Sequence, residues 1–223
     1  MASASSERAT AASEPSGLRI ASVKILVAGG FGVGKTTMVG SISEIRPLHT
    51  EEVLTELSIG VDNLTGVESK TTTTVALDFG RITLSPELIL YLFGTPGQDR
   101  FWFMWNELAL GALGAIVLAD TRRLDTCFAS VDFFERRELP FIVGVNCFDG
   151  APLYSESEVR RALDLGPDVP VMLCDVRRRE SCKALLLTLV EHIIQLTTEV
   201  TTEPDPAQPW FTLGDPVAGE GLR

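Results

Sequence analysis

A chain of 223 residues with 45% hydrophobic content is long enough for one domain with a full core. Its formal net charge of −11 argues against a nucleic-acid binder, which needs a basic face to neutralise phosphates, and an acidic surface is repelled by anionic lipid. The longest apolar run, Leu108 to Ala119, holds two glycines and is too short to span a bilayer.

The N-terminal stretch lacks the apolar segment of a secretory signal, and neither end carries a lipidation residue. A cytoplasmic protein is therefore expected, reaching a membrane only peripherally through a partner. Cys127, Cys147, Cys174 and Cys182 show no CxxC spacing, and His49 and His192 are the only histidines. Reduced thiols are expected, with neither a disulfide framework nor a zinc site.

Residues 1–17 are Ala/Ser-rich and read as a disordered tail. The domain is expected over 18–197, followed by a Pro-rich tail over 198–223 in which Trp210 and Phe211 stand out as large apolar residues. Leu18 to Ala28 reads as a buried strand, and a glycine loop then leads into a helix from about Lys35. Residues 46–70 show only weak periodicity, and so long a connection is more often functional than accidental. Thr71 to Phe79 is a β-branched strand ending at Gly80, and Glu87 to Phe93 is another. Ala112 to Ala119 and Pro140 to Val145 are continuous apolar runs of the parallel-sheet kind. Helices fit Cys127 to Arg137, Ser155 to Leu165 and Glu180 to Thr197, the second opening on the capping box Ser155-Glu156-Ser157-Glu158. Val169 to Leu173 supplies a sixth strand. The alternation predicts an α/β fold, a doubly wound and mostly parallel six-stranded sheet with its ligand at the strand carboxyl ends.

Gly29-Gly30-Phe31-Gly32-Val33-Gly34-Lys35-Thr36 matches GxxxxGK[ST] between a predicted strand and helix, which is the context this phosphate loop requires. Glycines allow successive backbone N–H groups to converge on a phosphate at a helix N-terminus. Lys35 is then expected on the β- and γ-phosphates and the Thr36 hydroxyl on magnesium, with Thr37 completing the phosphate set. Asn146-Cys147-Phe148-Asp149 ends the Phe141 to Val145 strand. A carboxylate there pairs with the N1–H and exocyclic amine of guanine, and adenine would leave it unpaired.

In these motifs the chain resembles the Ras-like small GTPases over residues 18–197, and most closely the bacterial MglA-type switch proteins and actinobacterial conservon GTPases. Leu92-Phe93-Gly94-Thr95-Pro96-Gly97-Gln98-Asp99 is similar to switch II in its MglA-like form. The resemblance implies that the Gly97 N–H senses the γ-phosphate and that Gln98 orients the attacking water. It makes Thr74 the switch I threonine over magnesium, with Thr73 as the neighbouring alternative, and assigns Cys174-Asp175-Val176 to the last base-contacting loop. The implied ligands are GTP/GDP and Mg2+. The implied partners are a roadblock-fold regulator, acting as a GAP or co-regulator, and a membrane sensor kinase of the same pathway.

Several residues depart from the family pattern. Gly94 stands where a magnesium-organising Asp is usual. Asp78 shares a strand face with Thr74 and Ala76 and reaches the site through water in the expected arrangement, while Asp120 ends a strand on the wrong side of the phosphate loop. Phe31 is bulky at a position that normally takes a small residue, and would crowd an arginine finger and the catalytic water. Thr73 stands where some MglA-type proteins carry Arg, so hydrolysis loses a stabiliser worth roughly 10³ in rate and should be slow; Arg100 is a candidate substitute. Cys147 replaces the lysine of NKxD, which weakens the hold on the base. Phe101-Trp102-Phe103-Met104-Trp105 is expected either under the 46–70 connection or as a partner surface. The paired arginines at 122/123, 136/137, 160/161 and 177 to 179 read as surface charge. The reading is a GTP/GDP switch; its rivals are an ATP-binding P-loop protein and a nucleotide-loaded scaffold that barely hydrolyses.

Overall fold

The computed structural model describes residues 20–55, 72–97 and 102–202. Seven strands form one sheet: β1 (Ala21–Gly29), β2 (Leu48–Thr55), β3 (Thr72–Ser85), β4 (Leu88–Gly94), β5 (Gly114–Ala119), β6 (Phe141–Asn146) and β7 (Val171–Cys174), in the order β2-β3-β4-β1-β5-β6-β7. The pairs β4/β1, β1/β5, β5/β6 and β6/β7 are parallel, and β2/β3 and β3/β4 are antiparallel. The helices are α1 (Lys35–Ile42), α2 (Trp102–Ala109), α3 (Phe128–Arg136), α4 (Glu156–Ala162) and α5 (Arg179–Thr202).

All six predicted strands are present within a mostly parallel α/β sheet, and a seventh is added at the edge. β2 lies inside the stretch read as a weakly periodic connection, because Leu48–Thr55 is an edge strand with no continuous apolar run. The strand expected to stop at Gly80 runs on to Ser85. A Cβ on Gly80 would lie 2.7 Å from Val39 Cγ1, so glycine marks the close approach of α1 to the strand and not its end. α5 runs five residues past Thr197, and α4 starts on the predicted capping box, with the Glu158 N–H donating to Ser155 Oγ at 3.3 Å.

Strand periodicity sorts the core onto two faces. Ile25, Val27, Leu92, Ile116, Leu118 and Ile142 meet Met38, Val39 and Ile42 of α1 and Leu185, Leu189 and Ile193 of α5. Leu26, Ala28, Ala115, Val117, Ala119, Val143 and Val145 meet Trp105 of α2, Val131 and Phe134 of α3 and Val159 of α4. Every residue of β5 and β6 is buried, as a strand covered on both faces requires. Trp105 packs edge-on to Phe133 with centroids 5.2 Å apart and stacks on Phe134 at 6.0 Å. The last of the five consecutive large residues thus belongs to the core; Phe101 lies outside the described residues.

Candidate functional site

The carboxyl ends of β1, β4, β6 and β7 converge on the loop between β1 and α1. Gly32 and Gly34 adopt φ of 74° and 111°, a region in which a Cβ is strained, and Gly34 immediately precedes Lys35, the first residue of α1. The loop therefore presents its N–H groups at a helix N-terminus. A cleft of about 330 Å3 opens above it, lined by Phe31, Lys35, Thr36, Thr37, Asp78, Thr95 and the Pro96-Gly97 segment. Val33 is buried in the core, so any part it plays in phosphate binding is through its backbone.

Lys35 is buried and curls over its own loop, with Nζ donating to the Gly29 and Gly30 carbonyls at 2.8 and 2.7 Å. Burial lowers its pKa to about 8, against the opposing charge of Asp78. A Cβ on Gly97 would stand 2.6 Å from Lys35 Nζ and 3.0 Å from the Phe31 nitrogen. A side chain at residue 97 would crowd the approach of the segment after β4 to the phosphate loop. Trp105 Nε1 donates to the Pro96 carbonyl at 3.2 Å and ties this segment to α2. Gln98 lies outside the described residues. Thr74 lies in β3 opposite Val53, and its side chain is not among those described.

Asp78 occupies the room left by Gly94. The two residues pair across β3 and β4, and a Cβ on Gly94 would fall 3.0 Å from Asp78 Cβ and Oδ2. Thr36 Oγ1 donates to Asp78 Oδ2 at 2.6 Å, which brings the carboxylate against the first turn of α1. Thr95 Oγ1, lining the same cleft, is buried with no hydrogen-bond partner among the described residues. Asp120 lies on the far side of β1, where Arg122 closes a bidentate pair with it at 2.9 and 2.7 Å. That guanidinium beside Asp120 holds the carboxyl below its usual range.

At the end of β6, Asn146 joins two loops. Its Nδ2 donates to the Val33 carbonyl at 3.0 Å and its Oδ1 accepts from the Val176 N–H at 3.3 Å. The Cys147 N–H donates to the Cys174 carbonyl at 2.8 Å, continuing the β6/β7 register. Asp149 is 85% exposed and paired with Arg177, whose Nη1 and Nη2 donate to Oδ2 and Oδ1 at 2.9 and 3.3 Å. The same guanidinium binds Asp175 through Nε at 2.8 Å and Nη2 at 3.0 Å. It keeps both carboxyls below their usual range. Burial raises the Cys127 and Cys174 thiols to about 12, and they serve as apolar filler instead of reactive groups.

Three arginines read from sequence as surface charge belong to this end of the sheet. Arg122 lies 4.0 Å from the centroid of the Phe148 ring, in the loop that follows β6. Arg123 Nη2 donates to the Phe31 carbonyl at 3.0 Å, and Arg177 holds Asp149. Their partners lie up to 92 residues away in the chain, so local charge patterning carried no signal of the pairing. A separate cleft of about 220 Å3 between Phe134, Pro140, Val169 and His192 is mainly apolar and gathers no converging set of donors.

The sequence profile of a family described as a conserved hypothetical ATP binding protein matches residues 27–196. The uncharacterized protein MJ1339 of Methanocaldococcus jannaschii is 33% identical over 130 residues, 57% of this chain and 71% of that protein. Among solved structures, the cytosolic domain of the T. maritima FeoB iron transporter in a GDP form superimposes with a TM-score of 0.54 at 17% identity, over 78% of this chain. The chain spans 64% of the length of that domain. The T. maritima FeoB G domain gives 0.53 at 19% identity over 77% of this chain and 99% of that one. The Methanococcus jannaschii FeoB G-domain gives 0.51 at 11% identity over 78% and 98%. At these identities the likeness fixes the fold, which is that of the G domains of P-loop GTPases. The profile match covers most of the chain: it belongs to the family of conserved hypothetical ATP binding proteins.

Proposed function

We propose that this protein is a guanine-nucleotide switch of the Ras-like class that hydrolyses GTP slowly and signals through the segments around Thr74 and Gln98. The observation that supports this reading is the Asn146 side chain, which hydrogen-bonds the phosphate loop and the Val176 loop at once and so ties the start of the Asn146–Asp149 loop to both. A base-recognition carboxylate held in register with a phosphate cradle is what a nucleoside di- or triphosphate requires. In this role the N–H groups of Gly29 to Thr37 bind phosphate, the Lys35 ammonium leaves its carbonyls for the β- and γ-phosphates, and Gly97 meets the γ-phosphate. Asn146, Cys147, Asp149 and the Cys174-Asp175-Val176 loop enclose the base, and Gln98 positions water.

The hydroxyl and carboxylate donors of the cleft, with an orphaned Thr95 hydroxyl among them, suit a hard cation. Thr36, Thr74 and Asp78 would hold Mg2+, which when bound neutralises phosphate charge. By its resemblance to MglA-type and conservon GTPases, the switch works in the cytoplasm with a roadblock-fold regulator and a sensor kinase, at a membrane only through such a partner. Phe31, exposed at the cleft rim, favours slow turnover, because by the same resemblance a bulky ring at this position would crowd a stabilising arginine. Competition of a fluorescent GDP by GTP and ATP tests the base, with GTP the stronger competitor. Asp149→Asn should shift preference toward xanthine nucleotide. Equal competition by ATP would favour the second reading, an ATP-binding protein, to which the family description points.

Lys35 adds a pH dependence. Its folded value near 8 lies below the unfolded 10.5, so the unfolded chain binds more protons between the two. Stability of the nucleotide-free protein should therefore rise as pH increases across that window. Phosphates restore the charged form, so binding above pH 8 takes up a proton, and affinity should fall by up to about tenfold per pH unit. Calorimetry in buffers of different ionisation enthalpy reads this uptake; an affinity constant across the window would exclude a Lys35–phosphate contact.

A further inference from the structure

The Arg177 guanidinium faces the edge of Asp149 that a guanine would use. Guanine offers two parallel N–H donors to a carboxylate, and Arg177 offers the same bidentate fork at 2.9 and 3.3 Å. Rejection of adenine at such a site depends on leaving the carboxylate without a partner. Here a partner is already present and is itself anchored by two further bonds to the Asp175 carboxylate, and the Asp175 N–H in turn donates to Ser181 Oγ at 3.0 Å. Cys147 is too short to take the place of a lysine beside the base.

We infer that Arg177 is a specificity-determining latch: it occupies the Asp149 carboxylate until guanine displaces it, and it narrows the margin by which guanine is preferred over adenine. This rests on the nucleotide reading above. When guanine binds, the guanidinium swings off Asp149 and remains on Asp175. When adenine binds, it stays, and the Asp149 carboxylate keeps its partner. The latch offers a physical account of a guanine-type motif in a family described as ATP binding.

The test is displacement of a fluorescent GDP analogue by GDP and by ADP from the full chain. Arg177→Ala should raise the GDP-over-ADP preference by about two- to fivefold, the range of an exposed ion pair. An unchanged or reduced preference would overturn the latch. A salt series on the wild-type protein decides the matter without a mutation. GDP and ADP carry the same phosphates, so screening of those contacts cancels in the ratio, whereas screening of the Asp149–Arg177 pair should raise it. A ratio flat or falling with salt contradicts the inference. A wild-type protein that binds neither nucleotide removes the underlying reading instead, and the two failures are thereby distinct.

Discussion

Replacing Asp78 by Ala is expected to weaken magnesium-dependent nucleotide binding by about 10- to 100-fold, the usual cost of removing a group that orients a metal ligand. Asp78 is buried, and its Oδ2 accepts from the Thr36 hydroxyl at 2.6 Å, so loss of the carboxylate frees the side chain that the phosphate-loop motif assigns to the metal. Gly94→Ala should produce a weaker form of the same defect, since its new Cβ would press on the Asp78 carboxylate from 3.0 Å. Moving the acid across the strand pair, with Asp78→Gly and Gly94→Asp together, should recover part of the loss. The measurement is GDP affinity with magnesium and with a chelator. An Asp78→Ala protein that gains as much from magnesium as the wild type would place the metal elsewhere.

Asn146→Ala should damage both stability and binding. The substitution leaves the Val33 carbonyl and the Val176 N–H without their partner in a buried setting, at a cost of about 1–3 kcal/mol for each group. Native domains have only about 5–15 kcal/mol in hand, and a loss of about 2 kcal/mol lowers Tm by roughly 4–8 °C in a chain of this size. The phosphate loop and the base loop would then move independently, and affinity for any nucleotide should fall further than stability alone explains. Asn146→Asp separates the two effects, because Oδ1 can still accept from Val176 while the bond to the Val33 carbonyl is lost. Thermal unfolding and GDP titration of both variants read the outcome. Wild-type affinity in Asn146→Ala would sever the proposed link.

The sheet was legible where strands are buried on both faces, because β5, β6 and the second half of β1 from Ile25 read as apolar runs. β2 carried no such run: an antiparallel edge strand needs only one covered face, and Leu-His-Thr-Glu-Glu-Val-Leu-Thr has polar residues at its centre. Gly80 was read as punctuation, although its cause lies in α1, forty residues earlier in the chain. The glycine loop before Lys35 and the Asn146 loop stood out in sequence because each is a run of consecutive residues, and the Asn146–Val33 bond brings the two together. Asp78 was identified as a candidate, but its fit to Gly94 exists only in the β3/β4 register. Arg122, Arg123 and Arg177 were hidden for a related reason, since a charged side chain on a loop looks the same in sequence whether it faces water or another loop.

Calorimetric titration of the purified chain with GDP and magnesium, beside Lys35→Ala, bears most directly on the phosphate cradle. The expected result is saturable binding at one site in the wild type, abolished by Lys35→Ala while the variant remains folded. No binding by the wild type, or equal binding by both proteins, would contradict the assignment of this loop as the nucleotide site.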